Sequence, residues 1–465
     1  MNMRTGSISS KPSRSFFPFD REQLSAIAAI AIPVTLQTIL FASKGLTDML
    51  MIGQLSEHDI AAAGVASRAL FVAMILLSGI SAAGSVLIAQ YFGANKHHAI
   101  RRTVVLSWFI STLFALFPAL LFLFAGDKVI ALSTSSLPLQ TLGHEYLSYT
   151  AASLLFASFS GAIAAGLRST RQASVSTWLS GLGIVLNLVL NWLLIFGHFG
   201  LPALGLKGAA IATTISCLLE VLITIAYLRI KQHALAPTYR AIQQAFNLKH
   251  IRDFLTLAIP TTTNFLLWAA GLFTYTAIMG QTGDQGLVVL SVISPIEAFS
   301  LSFLTGIANA SAVIVGNHLG SKDADKAYQQ AMGFVVLAII VTLLVALILF
   351  LLREPVLSLF GALDGDTRQL ANQFYLILCF GIVLRSLPTT MVVGVLRAGG
   401  DVKFCLYQDI STQWLFGIPL AALGAMFFGL SPSWVFASFF LETLFKWGAC
   451  IYRFKSKRWI KFLAS

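Results

Sequence analysis

Charge is scarce in this chain. Its 465 residues hold 31 Lys and Arg but only 19 Asp and Glu, 11% in all, whereas 57% are hydrophobic. A soluble protein of this length carries about twice that share of charge, so a soluble domain is excluded and a polytopic membrane protein is expected. Cysteine is nearly absent: Cys217, Cys379, Cys405 and Cys450 lie singly in apolar runs, without metal-ligand spacing, and read as buried thiols. The eight histidines form no HExxH or similar cluster, and His97-His98 sits among Lys96, Arg101 and Arg102 as in a solvated loop. The absence of DDxxD, HExxH and GxSxG patterns argues against a membrane enzyme, and no cofactor or metal is expected. Met1 to Asp20 lacks the short apolar core and small-residue cleavage site of a removable signal. Phe16-Phe17-Pro18-Phe19, beside Arg14 and Arg21, reads equally as an interfacial anchor or as part of a disordered tail.

What the chain has in abundance is long apolar runs. A helix needs about 20 apolar residues to cross roughly 30 Å of hydrocarbon. Stretches that qualify lie near 25–52, 59–90, 102–125, 141–166, 172–197, 208–229, 251–279, 286–316, 328–352, 369–396, 403–428 and 432–453. An all-α protein with twelve transmembrane helices follows. Its organisation reads as a tail at 1–23, an N-lobe at 24–229, a linker at 230–249, a C-lobe at 250–454 and a basic tail at 455–465.

Basic residues sort to one side of this arrangement. Arg4, Lys11, Arg14, Arg21, Lys96, Arg101, Arg102, Arg168, Arg171, the linker, Lys322, Lys326, Arg397, Lys403 and the tail after Arg453 share it. The other side has only Lys128, Lys207, Arg353 and Arg368. The positive-inside rule then places both termini in the cytoplasm. It also accounts for the net charge of +12 without nucleic acid.

The two halves are near-copies. Adding 227 to the residue number carries Ala31-Ile32-Pro33 onto Ala258-Ile259-Pro260, Gly53-Gln54 onto Gly280-Gln281, Gly79-Ile80 onto Gly306-Ile307 and Gly93 onto Gly320. Six spans per half make the second half enter from the same side as the first, so the lobes are related by an axis along the membrane normal and face each other across a cleft. Yet Asp48 falls on Tyr275 and Lys44 on Gly271. The scaffold is duplicated and this charge is not. A carboxylate at membrane depth costs several kcal/mol unless paired, hydrated or protonated, which makes Asp48 the first candidate for function.

These residues resemble the multidrug and toxic compound extrusion (MATE) family from about Leu24 to Tyr452. The resemblance is carried by Pro33 with Thr47-Asp48 and Gly53, by Gln90-Tyr91-Phe92-Gly93 and by Gly166-Leu167-Arg168. Asn187 to Asn191, Ile195-Phe196-Gly197, Gly205 to Thr213, and Leu396-Arg397-Ala398-Gly399-Gly400-Asp401 continue it in order. It implies a V-shaped pair of six-helix lobes in a bacterial-type inner membrane, a monomer that exports drugs and organic cations in exchange for H⁺ or Na⁺. In that family the first-span acid works with polar groups of the fifth and sixth spans, here Asn187, Asn191 and Thr213. Some relatives carry an acid where this chain has Asn191. Another branch has a seventh-span acid where this chain has Trp268, so the likeness is closer to the proton-coupled bacterial branch with an N-lobe site.

On this reading Asp48 takes a proton on the outer side and releases it inward. Protonation relieves the cost of a buried charge and turns the carboxyl from pure acceptor into donor and acceptor. Pro33 removes a backbone hydrogen bond and clashes with the preceding turn, and Gly45 adds freedom, so the proton state of Asp48 can set the first helix straight or bent. A structural reading competes: Lys44 is one turn before Asp48 and can simply neutralise it. A lipid-linked precursor flippase of the same superfamily is the alternative function, for which several basic residues in the cleft are expected.

Other charges at depth need partners. Glu442 and Lys446, four apart, can satisfy each other, while Glu220 and Glu442 both follow Leu and read as repeat-related packing positions. Arg68 and Glu297 are expected to pair across the cleft or meet cargo. Trp268, Phe265, Phe273, Tyr275 and Phe299 lie on second-half spans expected to line the cleft, where they can hold a planar cation by stacking.

Overall fold

The computed structural model describes residues 19–132, 136–358 and 365–464. Twelve of its helices are long and apolar enough to cross a membrane, and no strand occurs among the described residues. They are α1 (Arg21–Ile52), α2 (Glu57–Gly93), α3 (His97–Ala131), α4 (Leu137–Ser169), α5 (Ala173–Phe196) and α6 (Gly205–Ile230), then α7 (Leu248–Gly280), α8 (Asp284–Gly320), α9 (Ala324–Leu351), α10 (Gly365–Leu396), α11 (Val402–Phe427) and α12 (Pro432–Lys455). Several run past the apolar stretch that marks them, because a backbone leaving hydrocarbon is best satisfied inside the helix. At the start of α2 the Ser56 hydroxyl accepts the Asp59 N–H at 3.1 Å, which caps the first turn. In α10 and α11 the turns at Thr390–Leu396, Ile410–Gly417 and Leu423–Phe427 widen to π geometry, a local underwinding that recurs at functional sites.

The helices form two six-helix lobes. One buried cluster, including Ile52, Ala66, Leu77, Phe122, Leu147 and Ile195, draws only on α1–α6. Another, including Met279, Ile293, Phe374, Ile382, Ala421 and Phe436, draws only on α7–α12. Two further clusters are shared between lobes: Ile30 and Val34 pack with Leu304 and Ile307, and Leu87 and Leu106 pack with Phe254 and Leu257. The lobes therefore join toward the end that carries Lys96, Arg171 and Lys322, called the closed end, the far end being called the open end.

The seam at the closed end repeats the twofold relation seen in the sequence. Gln90 donates from Nε2 to the Ala398 carbonyl at 2.8 Å, and its repeat partner Asn317 donates from Nδ2 to the Ala89 carbonyl at 2.8 Å. Arg171 Nε adds a bond to Asn317 Oδ1 at 2.9 Å. Gly93 lies against the Asn317 backbone and Gly320 against the Gln90 backbone so closely that a Cβ on either would collide with a carbonyl oxygen. The repeated glycines thus let the ends of α2 and α8 cross in contact.

Three segments outside the spans differ from their simplest sequence reading. Phe16, Phe17 and Pro18 lie outside the described residues, but Phe19 is buried with its ring edge-on to Phe334 at 5.4 Å. It packs in the core and is no interfacial anchor. The linker contains a short helix, Tyr239–Ala245, whose Ala241 and Ala245 are buried beside Leu106 and Ile110. The basic tail folds back under the seam: Trp459 is fully buried, the Leu463 N–H donates to Gln90 Oε1 at 2.7 Å, and Lys96 donates to the Ala464 carbonyl. Lys461 reaches Asp401 at 2.9 Å and Arg453 reaches it at 2.5 Å. Amphipathic stems and a Trp supply enough apolar surface to bury this strap despite its charge.

Two outcomes follow. Gly93→Val or Gly320→Val overpacks the crossing and should destabilise the protein by about 1–3 kcal/mol, read as a lower unfolding temperature in detergent. Burial alone would raise the pKa of Asp401, but the hydrogen bonds from Arg453 and Lys461 outweigh it and hold it below the ordinary aspartate value. Its contribution is therefore complete above the unfolded-state value and lost as pH falls through the depressed folded one. The strap should stay protected from limited proteolysis at neutral pH and become cleavable only below about pH 4.

Candidate functional site

The N-lobe site is assembled from three helices. Asp48 stands near the open end of α1, where its Oδ2 meets Lys44 Nζ at 2.7 Å. Helical periodicity makes that pair, since residues four apart share a face. Asn191 of α5 donates from Nδ2 to Asp48 Oδ1 at 2.6 Å and lies 3.4 Å from Asn187 Oδ1. Asn187 in turn donates to Thr213 of α6 at 3.4 Å, and Thr213 donates to the Ala209 carbonyl at 3.0 Å. Asn187 and Asn191 are each 1% exposed, so their amides have no access to bulk water, whereas the Asp48 side chain keeps 20% exposure. The five residues singled out in the sequence therefore form one file. The ion pair with Lys44 is present together with the amide contacts, not in place of them.

One atom in the file has no partner: Asn191 Oδ1 is buried without a donor among the described residues. A buried acceptor left open in this way is uncommon. Tyr146 of α4, which sequence reasoning missed, lies near enough to Asp48 for their charges to interact and bonds to Ser67. Nothing in its spacing marked it; only the packing of α4 against α2 and α6 brings it in.

The hinge candidates lie in an unbroken helix. Pro33 sits inside α1, and its carbonyl accepts from Thr177 Oγ1 at 2.8 Å. A Cβ placed on Gly45 would meet nothing within 4 Å, so packing does not require glycine there.

The C-lobe holds a denser polar cluster than its sequence suggested. Lys446 of α12 bridges Asp409 at 3.0 Å and Glu442 at 3.1 Å. Tyr275 donates to Glu442 at 2.6 Å, Asn264 donates to Asp409 at 2.6 Å, and Arg397 donates to Asn264 Oδ1 at 3.2 Å. The expected Glu442–Lys446 pair is formed, but Asp409 completes it across helices. Part of this pattern repeats in the N-lobe: Gln37 donates to Ser180 at 2.9 Å and accepts from Arg168 at 3.4 Å, in the places of Asn264, Asp409 and Arg397.

Four cleft expectations need correction. Glu297 pairs with Arg385 of its own lobe and not with Arg68, which is exposed. Tyr275 is 6% exposed and stacks on Phe439 at 4.4 Å inside the C-lobe, drawn inward by the Glu442 carboxylate. Phe265 lies under the Arg397 guanidinium at 5.0 Å, a cation–π contact internal to the protein. Trp268, Phe273 and Phe299 stay exposed, and Phe273 meets Phe71 of the other lobe edge-on at 6.4 Å.

Two six-helix lobes around a cleft, with a polar file in one of them, define a membrane transporter. The MatE family pattern matches residues 33–193 and 260–423, two blocks that begin at the repeated Pro33 and Pro260, and the chain belongs to this family of MATE transporters. It is 26% identical over 452 residues to the uncharacterized transporter YisQ of Bacillus subtilis strain 168, covering 94% of this chain and 95% of that one. It is 24% identical over 417 residues to a probable multidrug resistance protein NorM of Bacillus cereus, covering 87% and 89%. A solved structure described as the outward-facing conformation of a multidrug resistance MATE family transporter of the MOP superfamily superposes with a TM-score of 0.84 at 19% identity, covering 95% of each chain.

The C-lobe cluster yields a prediction. Lys446→Met strands two buried carboxylates and should cost about 3–5 kcal/mol, while adding Asp409→Asn and Glu442→Gln to it should recover most of the loss. Thermal unfolding of the purified variants measures both.

Proposed function

We propose that this protein is a secondary active multidrug efflux antiporter that exports organic, often cationic or aromatic compounds in exchange for H⁺, with Asp48 as the coupling carboxyl. The single observation that carries this reading is the file Asp48–Asn191–Asn187–Thr213, present in one lobe of a duplicated scaffold and holding next to Asp48 an unsatisfied acceptor, Asn191 Oδ1. As a carboxylate, Asp48 accepts from the Asn191 amide and from Lys44. As an acid it has a proton to donate, and a half-turn of the Asn191 amide presents Oδ1 to receive it. One proton thus exchanges an ion pair plus an accepted hydrogen bond for a neutral, donating one, and frees the Lys44 ammonium. Sodium would require several oxygen ligands at once around a carboxylate that already holds an ammonium.

The proton state acts on α1, whose Pro33 and Gly45 offer places to bend. With the basic end in the cytoplasm by the positive-inside rule, the end of α1 that carries Asp48 lies on the outer side, where a proton from outside reaches it. Multidrug export is supported by the NorM relatives, and the exposed aromatic rings Trp268, Phe273 and Phe299 offer stacking surfaces for planar cargo.

Reconstituted in vesicles with imposed gradients, the protein should move a fluorescent organic cation when a proton gradient is present and stop when that gradient alone is collapsed. Collapsing a sodium gradient should have no effect. Asp48→Asn should abolish driven efflux at an unchanged unfolding temperature; full activity of that variant ends the proposal.

A further inference from the structure

Glu220 of α6 is a membrane-depth carboxylate that the file above leaves unused. Its Oε2 comes within 2.7 Å of the position a Cβ on Gly183 of α5 would take, and its carboxyl lies close to the Ser180 hydroxyl. Glu442 is placed in the same way in the other lobe: it too follows a Leu, and its Oε2 comes within 2.6 Å of a Cβ built on Gly417 of α11. Both carboxylates are pressed onto a glycine of the preceding span.

The surroundings differ. Glu442 is held by Lys446 one turn later at 3.1 Å and by the Tyr275 hydroxyl at 2.6 Å. One turn after Glu220 stands Thr224, and among the described residues no Lys or Arg comes within ion-pair distance of Glu220. On its own helix the Cys217 thiol feels the charges of both Glu220 and Lys44 of α1, and α5 contributes the Ser180 hydroxyl. A carboxylate locked in one lobe is unlocked in the other. An unlocked acid at this depth is stable neutral and can ionise only with rearrangement.

Its height fits a relay. α6 runs from the open end to the basic end, and Glu220 is seven residues beyond Thr213, roughly 10 Å deeper. Below it Ser180 accepts from Gln37 at 2.9 Å, and Gln37 accepts from Arg168 at 3.4 Å. We propose that Glu220 is a second proton-carrying carboxyl of the N-lobe, standing between Asp48 and the basic end and loaded after Asp48 releases its proton. In each transfer an O–H bond breaks on the acid and forms on the acceptor carboxylate, with no change of oxidation state. The inference rests on the coupling role of Asp48.

The test is ethidium efflux from proteoliposomes under an imposed proton gradient, comparing the parent with Glu220→Gln, Glu220→Asp and Asp48→Asn. Glu220→Gln should bind ethidium with the parent's Kd yet transport it at least about tenfold more slowly, the scale of a lost proton-transfer group, with a displaced pH profile. Glu220→Asp should restore most of the rate. Parental rate and pH profile in Glu220→Gln, with Asp48→Asn inactive, overturn the relay and leave Asp48 standing; an active Asp48→Asn defeats the coupling reading itself. If Glu220→Gln does not fold, infrared difference spectra after a pH jump decide between parent and Glu220→Asp. A carboxylic acid band that moves with the substitution supports the relay, and identical bands overturn it.

Discussion

The constraint on which this structure turns is the cost of an ionised side chain in hydrocarbon. Every such group must find a counter-charge, a donor or a proton, and the two lobes meet the demand differently. In the C-lobe the demand is met permanently: Lys446 sits between Asp409 and Glu442, Tyr275 and Asn264 supply further donors, and Arg385 covers Glu297. Such a closed network is expensive to break from either side. In the N-lobe Asp48 shares one ammonium and one amide, and next to them an acceptor stands empty. The open acceptor beside Asp48 offers a carboxylic acid proton a second partner, whereas the unpartnered Arg397 Nε of the C-lobe network is a donor and offers such a proton none. On the proposed coupling role, switching belongs to the lobe that holds this open acceptor beside an ionisable carboxyl.

That asymmetry needs a frame that holds the lobes in register while one of them changes. The seam between α2 and α8 provides it, because Gln90 and Asn317 reach across to backbone carbonyls and Gly93 and Gly320 let the helices touch. The strap from Ser456 to Ala464 bonds to Gln90 and Lys96 on one lobe and to Asp401 on the other. Opening the basic end therefore requires breaking buried hydrogen bonds, and closed packing of this kind gives discrete states instead of gradual deformation.

Much of this was legible in the residues alone. Twelve spans follow from apolar length and the lobe relation from an even number of spans per repeat; one unmatched charge singles out Asp48, and its partners Asn187, Asn191 and Thr213 come from the family resemblance. Composition and spacing are one-dimensional, however, and they fail where partners come from different helices. Asp409 is drawn to Lys446, and Glu297 to Arg385, by helix packing that no local pattern encodes. Tyr275 lies on a span expected to line the cleft, but its hydrogen bond to Glu442 pulls its hydroxyl inward. The tail was read from its charge, whereas Trp459 and the aliphatic stems of its lysines decide where it goes.

The duplicated scaffold also acts as an internal control. Gln37, Ser180 and Arg168 stand where Asn264, Asp409 and Arg397 stand, and their hydrogen bonds run in the same direction. What the lobes share can be assigned to holding helices together, since it persists whatever charge lies nearby. What they do not share is the replacement of Asp409 by Ser180 and of Lys446 by Thr224, together with the gain of Lys44 and Asp48. Each of these differences moves fixed charge out of the middle of the N-lobe or adds a pair near its open end. On the proposed coupling, a proton entering there would meet carboxyl groups that neutral side chains separate, so its binding would not be short-circuited by a permanent ion pair at mid-depth. On that reading, the unequal filling of the two lobes turns a symmetric helical frame into a directional one.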